Sequence, residues 1–363
     1  MSDQVYDAVV IGSGAGGGPC AYGLAVKGKK VLLLEAGPRY DPYKDYNLDK
    51  NDWEIKRFPD REKGIYTFGE AQPLREDLSH LRSRSRAEGL VNPTQKRKYI
   101  GFFHVKGVGG STLRYQGEAH RLHPRAFRIR TLYGVGNDWP ISYEDLAPYY
   151  EESEKILGVA GPEVDPHHPR KNPLPLPPHR LSYAGQIIEK ACAKMGLKLI
   201  PNTLAILSRM YDDRPYCNYC NGCAEGCPRK DKGSIDVTFI PKAEATGNCR
   251  VLEGAHVFRL NVKGGKIDEV LYYDKEGKEQ AVRAKVVIVA GGAIETPRLL
   301  LNSGVANRNG RVGKDFMETL VWLGAALHPR RLDSYRGLPI DGEILDYLFP
   351  ESGRPFASGF RKR

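Results

Sequence analysis

Four of the chain's seven cysteines stand in Cys217-x2-Cys220-x2-Cys223-x3-Cys227-Pro228. This spacing lets short turns bring successive thiolates onto one face of a cluster, and it matches the run that ligates iron–sulfur clusters in bacterial ferredoxins. In two-cluster ferredoxins the fourth cysteine of such a run serves the other cluster, and only one run occurs here. A [3Fe–4S] cluster on three thiolates and a [4Fe–4S] cluster are both compatible. Cys227 is the obvious fourth ligand, with Cys192 or Cys249 as candidates from outside the run. The same thiols suit a zinc site, two disulfides in an exported chain, or a loop that holds no group. Cys20, inside a predicted helix, is expected to be a packed core thiol.

A second constellation is Gly12-Ser13-Gly14-Ala15-Gly16-Gly17, a G-x-G-x-x-G turn, with Glu35 following 23 residues after Gly12. The glycines permit a tight turn, close approach to a pyrophosphate and close helix–strand packing. The helix that follows offers free N–H groups and its positive dipole end to the phosphates. Glu35 is at the right distance to accept a hydrogen bond from an adenosine ribose hydroxyl. These residues alone leave FAD and NAD both open. Gly107-Val108-Gly109-Gly110-Ser111-Thr112-Leu113-Arg114-Tyr115 is a further loop whose backbone N–H groups can face an anionic or polar ligand. A second glycine-to-helix turn begins at Gly291-Gly292-Ala293, after a buried strand, where open parallel sheets bind ligands.

The elements that must position these residues read as follows. Val5–Ile11 and Lys30–Glu35 are short apolar runs suited to buried parallel strands, flanking a helix that Gly28 ends. Residues 41–100 read as an irregular excursion. Ser142 is placed as N-cap of a helix, with Asp145 as the capping-box acid. Seven prolines between 161 and 180 mark a linker or surface loop, and Ile187–Met195 an amphipathic helix. Residues 250–290 alternate in the strand manner, turning at Gly264-Gly265, and Val286–Ala290 is another buried parallel strand. Thr296 is expected to cap a helix whose first residue is Pro297, closed by Ser303-Gly304.

In this order the three glycine segments resemble the glucose–methanol–choline (GMC) oxidoreductase family. Gly292–Gly304 follows the family's second signature closely, with Ala306 where a glycine is usual. Gly107–Tyr115 resembles the first signature, with Leu113-Arg114-Tyr115 where many members have asparagine. Asn248–Val257 looks like the adenine-side strand, and Gly310–Met317 belongs to the same resemblance, which covers most of residues 5–320. It implies FAD rather than NAD, held without a covalent bond because no histidine lies in Gly109–Tyr115. It puts Gly12, Ser13, Gly14, Ala15, Gly16, Gly17 and Glu35 on the ADP half, and Gly109, Gly110 and Ser111 near the pyrophosphate and flavin. Val257 falls at the adenine, and Gly291 and Ala293 near the ring system.

The implied fold class is α/β: a Rossmann-like, GMC-type FAD domain from 1–40, 101–125 and 216–320, with an interleaved substrate domain. Residues 41–100 would be a basic insertion, 126–215 a helical cap region, and 321–363 the start of a substrate domain truncated at its C-terminal side. The implied activity is a dehydrogenase oxidising a CH–OH group of a sugar or other alcohol by hydride transfer to flavin. Electrons would leave through the cysteine-bound cluster to a cytochrome c or quinone acceptor, with a small partner subunit. The other reading is a non-catalytic or truncated FAD/electron-transfer subunit that needs a second chain for the catalytic histidine. No catalytic base is named: His328, in His328-Pro329-Arg330-Arg331, is expected at the surface, and His104, His120 and His123 in packing or surface roles.

The formal charge of +11 is concentrated between Lys56 and Arg130, where 17 Lys/Arg face 7 Asp/Glu. A solvated insertion is the expected role for that run, a docking face for an acidic partner or anionic cofactor the other. No reader motif accompanies the basic residues, so nucleic acid is not an expected partner. Forty glycines and 25 prolines predict many turns without low complexity. No apolar run reaches the ~18 residues of a membrane helix. Either cytoplasmic residence or periplasmic export beside a signal-bearing partner is compatible with these features.

Overall fold

The computed structural model describes residues 5–46, 105–314, 316, 328–332 and 337–349, with strand backbones at 87–92, 95–100 and 360–362. Most of the basic excursion at 41–100, His104, and most of 317–336 lie outside the described residues.

The chain forms two compact units, Met1–Arg114 with Ile235–Leu323, and Tyr115–Ser234 with Gly324–Arg363. The first unit opens with β1 (Tyr6–Ile11), α1 (Gly17–Ala25), β2 (Val31–Glu35), α2 (Pro42–Asp45), β3 (Ala87–Asn92) and β4 (Gln95–Ile100). The second unit follows with α3 (Ile129–Tyr133), α4 (Tyr143–Leu157), α5 (Tyr183–Lys194) and β5 (Leu199–Pro201). The first unit resumes with α6 (Phe239–Ala245), β6 (Cys249–Glu253), β7 (His256–Lys263), β8 (Lys266–Tyr273), β9 (Glu279–Val282), β10 (Ala284–Val289) and α7 (Gly292–Ser303). β11 (Gly342–Ile344) and β12 (Phe360–Lys362) return to the second.

The first unit is α/β. Its parallel sheet has the order β10-β1-β2-β6, with Val10 beside Ile288 and Leu33, and Leu33 beside Val251. The continuous apolar runs of β1 and β2 suit strands covered on both faces. On one face Val9, Ile11, Leu32 and Leu34 pack with Val257, Leu260, Val270, Tyr272 and Leu299. On α1, the buried residues are Gly17, Gly18, Ala21 and Ala25, small enough for close helix packing. The antiparallel sheet β7-β8-β9 turns at Gly264 and Gly265, both at positive φ, as a two-residue hairpin requires.

Four expectations are corrected. β10 is parallel but not buried: it is the outermost strand of its sheet, and Val286 on it is 55% exposed. Thr296 does not cap α7: the helix begins at Gly292 and runs through Pro297, whose missing N–H costs one intrahelical bond near the first turn. Cys20 is exposed, because the buried side of α1 is its glycine and alanine stripe. Within the excursion, β3 and β4 pair antiparallel, with two register irregularities.

In the second unit Ser142 and Asp145 form the expected capping box on α4, which ends at left-handed Gly158. β5, β11 and β12 form an antiparallel sheet. A buried ionic core ties Arg121 to Glu154 through two bonds, Nε–Oε1 at 2.8 Å and Nη2–Oε2 at 2.7 Å, and Nη1 donates to Tyr143 Oη at 3.1 Å. Among the described residues no helix is long and apolar enough to cross a membrane.

Candidate functional site

A cleft of about 270 Å³ in the first unit opens where β1, β2 and β10 end, the usual place for a ligand on a parallel sheet. Of the residues singled out from the sequence, Gly12, Ser13, Gly14, Ala15, Gly16, Glu35, Gly110, Ser111, Val257 and Gly291 line it. Gly17, Gly109 and Ala293 do not; Gly17 lies beneath the turn, where a Cβ would fall 1.8 Å from the Gly12 carbonyl oxygen.

The cleft fits a dinucleotide on three observations. Gly16, the N-cap of α1, supplies no side-chain cap, and no acid stands in the first turn, so the helix N-terminus keeps its positive end toward the cleft. A Cβ at Gly110 would lie 2.8 Å from Gly14 Cα, so two glycine loops meet backbone to backbone and leave no side chain between them. Glu35 is buried at the end of β2; burial pushes its carboxyl up, while the amides of Gly37 and Ser13 and the Ser13 hydroxyl oppose that shift.

Residues not anticipated also stand at this cleft. Lys106 and Glu295 line it, and Glu295 is bound by Arg298 one turn later at 2.8 and 3.0 Å. The i,i+3 acid–base spacing of Glu295 and Arg298 was a visible signal for that pair. Next to Val257, burial and then the cations of Lys106 and Arg298 pull the His256 imidazole down to about 4. The unfolded chain takes up this proton near 6.5 and the folded one only near 4. The stability it contributes is therefore present above pH 6.5 and lost as pH falls toward 4. His256→Gln should flatten the pH dependence of first-unit stability between pH 6.5 and 4, read as urea midpoints at several pH values; an unchanged slope would refute this assignment.

A larger cleft, about 640 Å³, opens beside β6 and the β7–β9 sheet. Its floor includes Tyr6, Leu32, Leu252 and Tyr272, and its described lining is strand and turn with no helix end.

The cysteine run lies in the second unit. Cys217 and Cys223 pack with Leu204, Ile206 and Leu338, Cys220 is exposed, and Cys227 Sγ donates to Asp231 Oδ1 at 3.3 Å. Burial pushes the thiols up: Cys217 strongly, Cys223 to about 12 and Cys227 to about 11. Tyr219 and Asn221, on either side of Cys220, have left-handed backbones, and Tyr219 N–H donates to Cys217 Sγ at 3.3 Å. Among the described residues no three metal-ligating side chains converge on one point, so the thiols as placed are not a coordination shell.

The histidines are the remaining candidates for a base. His120 lies 3.9 Å from Glu118 and 3.6 Å from Glu343, His123 is pulled down to about 4 chiefly by burial, and His328 is exposed with Nδ1 accepting from Arg330 N–H. None of the three lines the cleft.

The profile of the family described as GMC oxidoreductase matches residues 128–321. The fructose dehydrogenase large subunit of Gluconobacter japonicus is 32% identical over 86% of this chain and 58% of its own length. The 2-methyl-1,2-propanediol dehydrogenase of Mycolicibacterium austroafricanum is 31% identical over 99% of this chain and 63% of its own. The chain thus spans about three fifths of these relatives. Formate oxidase of Aspergillus oryzae RIB40 superposes with a TM-score of 0.55 at 17% identity, covering 84% of this chain and 48% of that one. Pyridoxine 4-oxidase from Mesorbium loti gives 0.51 at 20%, covering 83% and 52%. These two likenesses are of fold. With a family profile over more than half its length and a 31% identical relative along nearly all of it, the chain belongs to the GMC oxidoreductase family.

Proposed function

We propose that this chain is the FAD-binding part of a dehydrogenase that oxidises a CH–OH group of a sugar or other alcohol. The observation that carries the reading is the cleft at the ends of β1, β2 and β10, with an uncapped helix N-terminus on one side and buried Glu35 on the other. FAD, when bound, supplies the hydride acceptor. Gly14, Ala15 and Gly16 would take the diphosphate on backbone amides, the Gly12 and Ser13 amides being held by the Leu34 carbonyl and Glu35. Glu35 would take a ribose hydroxyl, and Val257 the adenine side. Gly110 and Ser111 would lie toward the pyrophosphate and flavin, and Gly291 toward the ring system. The substrate class follows the names of the two relatives, a fructose dehydrogenase subunit and a propanediol dehydrogenase.

The finer part of the proposal is an iron–sulfur cluster on Cys217, Cys220, Cys223 and Cys227, serving a cytochrome c or quinone acceptor. Its support is the cysteine spacing, the left-handed residues flanking Cys220 and the N–H···S bond to Cys217. Among the described residues the thiols as placed do not form a shell. A small partner subunit is proposed from the subunit wording of the Gluconobacter relative's name.

The test is absorbance and elemental analysis of the purified protein. Flavin bands that bleach with a sugar or alcohol substrate are expected, together with iron and acid-labile sulfide. A protein that takes up no flavin would sink the main reading, and zinc without iron would sink the cluster alone.

A further inference from the structure

Ser13 occupies the first variable position of the glycine turn and is fully buried. Its hydroxyl donates to Glu35 Oε2 at 2.6 Å and accepts the Gly109 N–H at 3.0 Å, with the Gly107 carbonyl 3.3 Å away. Its own N–H also donates to Glu35 Oε2, at 3.0 Å, and the Gly37 N–H donates to Oε1 at 2.9 Å. Three segments far apart in sequence therefore meet on one serine and one carboxylate: the turn at 12–17, the end of β2 through Gly37, and the loop at 107–110. Backbone contacts follow the same seam. Val108 N–H donates to the Pro38 carbonyl at 3.0 Å, and a Cβ at Gly37 would fall 2.2 Å from the Lys106 carbonyl carbon.

We infer that Ser13 is a positioning residue: the Ser13–Glu35 pair locks these three segments so that the dinucleotide cleft is formed before its ligand arrives. The nature of the ligand rests on the FAD reading; the lock itself does not. The pair also limits what Glu35 can do. A carboxylate oxygen accepts about two hydrogen bonds, and Oε2 is filled by the two Ser13 donors. Oε1 accepts from Gly37, and the Gly107 backbone amide acts on the same carboxylate, so most of its acceptor capacity is taken up by the protein's own donors. Gly109 gives its N–H to Ser13, and Gly110 donates to the Gly107 carbonyl at 2.7 Å. The loop at 107–110 thus uses these two amides to hold its own shape, and shapes the cleft wall rather than serving as its donor set. Removing the Ser13 hydroxyl leaves a buried N–H without its acceptor and takes one of two donors from Glu35 Oε2, a loss concentrated at the mouth of the site.

Hydrogen exchange of the ligand-free wild-type chain is the first measurement. The Gly109 and Gly37 amides should exchange slowly, and an amide at Gly109 that exchanges at the rate of an unstructured peptide overturns the lock without any variant. Ser13→Ala should then lose protection at Gly109 and raise the Kd for FAD between about tenfold and about a hundredfold, followed by flavin fluorescence, with the loss mostly in the association rate. Ser13→Thr, which keeps the hydroxyl, should hold the Gly109 protection. Wild-type affinity and protection in Ser13→Ala would overturn the inference. If the wild-type chain itself takes up neither FAD nor ADP, the FAD reading fails, and the Gly109 exchange rate still decides the lock.

Discussion

Gly17→Ala is expected to abolish FAD retention through gel filtration, with an affinity loss of at least about a hundredfold. The added methyl would stand 1.8 Å from the Gly12 carbonyl oxygen and 3.3 Å from Ala290 Cβ. Neither neighbour is a flexible side chain that can swing aside. Gly12 is itself held at φ +95, and a Cβ there would fall 2.6 Å from the Ala290 carbonyl oxygen. The only relief is for α1 to move away from β1, which carries its amide terminus out of reach of a diphosphate. Overpacking of this kind costs about 1–3 kcal/mol in a core, and the upper end is expected where backbone meets backbone. Gly23→Ala on the same helix is the control: nothing lies within 4 Å of the added methyl, and alanine should stabilise α1 by up to about 1 kcal/mol. Retention of FAD by Gly17→Ala at wild-type affinity would contradict the close seat of α1 on the turn.

The second large effect is expected in the other unit. Arg121 is 2% exposed and Glu154 6%, and they form a two-bonded pair that Arg170 approaches with Nε 3.6 Å from Glu154 Oε1. Deleting one member of such a pair leaves a buried charge short of its partner, a loss of about 3–5 kcal/mol. Arg121→Met should therefore lower the urea stability of the second unit by that amount. Arg121→Met/Glu154→Met should recover part of it, because the remaining charge is removed as well. A single-variant loss below about 1 kcal/mol would show that the pair is open to water in solution.

What could be read beforehand divides along a physical line. β1 and β2 were legible because a strand covered on both faces must be a short unbroken apolar run, and such a run admits few other readings. In β1 that run is Ala8, Val9, Val10 and Ile11, and all four are buried. The capping box at Ser142 and Asp145 was legible because its two partners are three residues apart. The Ser13–Gly109 bond spans 96 positions, and nothing local to either residue announces it. Lys106 was hidden in the same way, since its place at the cleft depends on how the chain returns from 47–104. Thr296 misled for the opposite reason. Its local pattern was a good cap, but the turn after β10 had already started the helix at Gly292. Cys20 shows that a helix position fixes a face only once the packed stripe is known, and here that stripe is glycine and alanine.

The strand order has a consequence for how this chain comes to be folded. β1 sits between β2 and β10, with Tyr6 beside Ala284, and β2 sits between β1 and β6. During synthesis β1 and β2 emerge first and can pair at once, but their outer neighbours follow only after the whole 115–234 segment has been made. Contacts of such long sequence separation carry a large loop-closure cost and form slowly. Two of the most apolar of the described strands therefore wait, half-paired, while the second unit is translated. That interval is when the nascent chain is most exposed to aggregation and has most to gain from a chaperone.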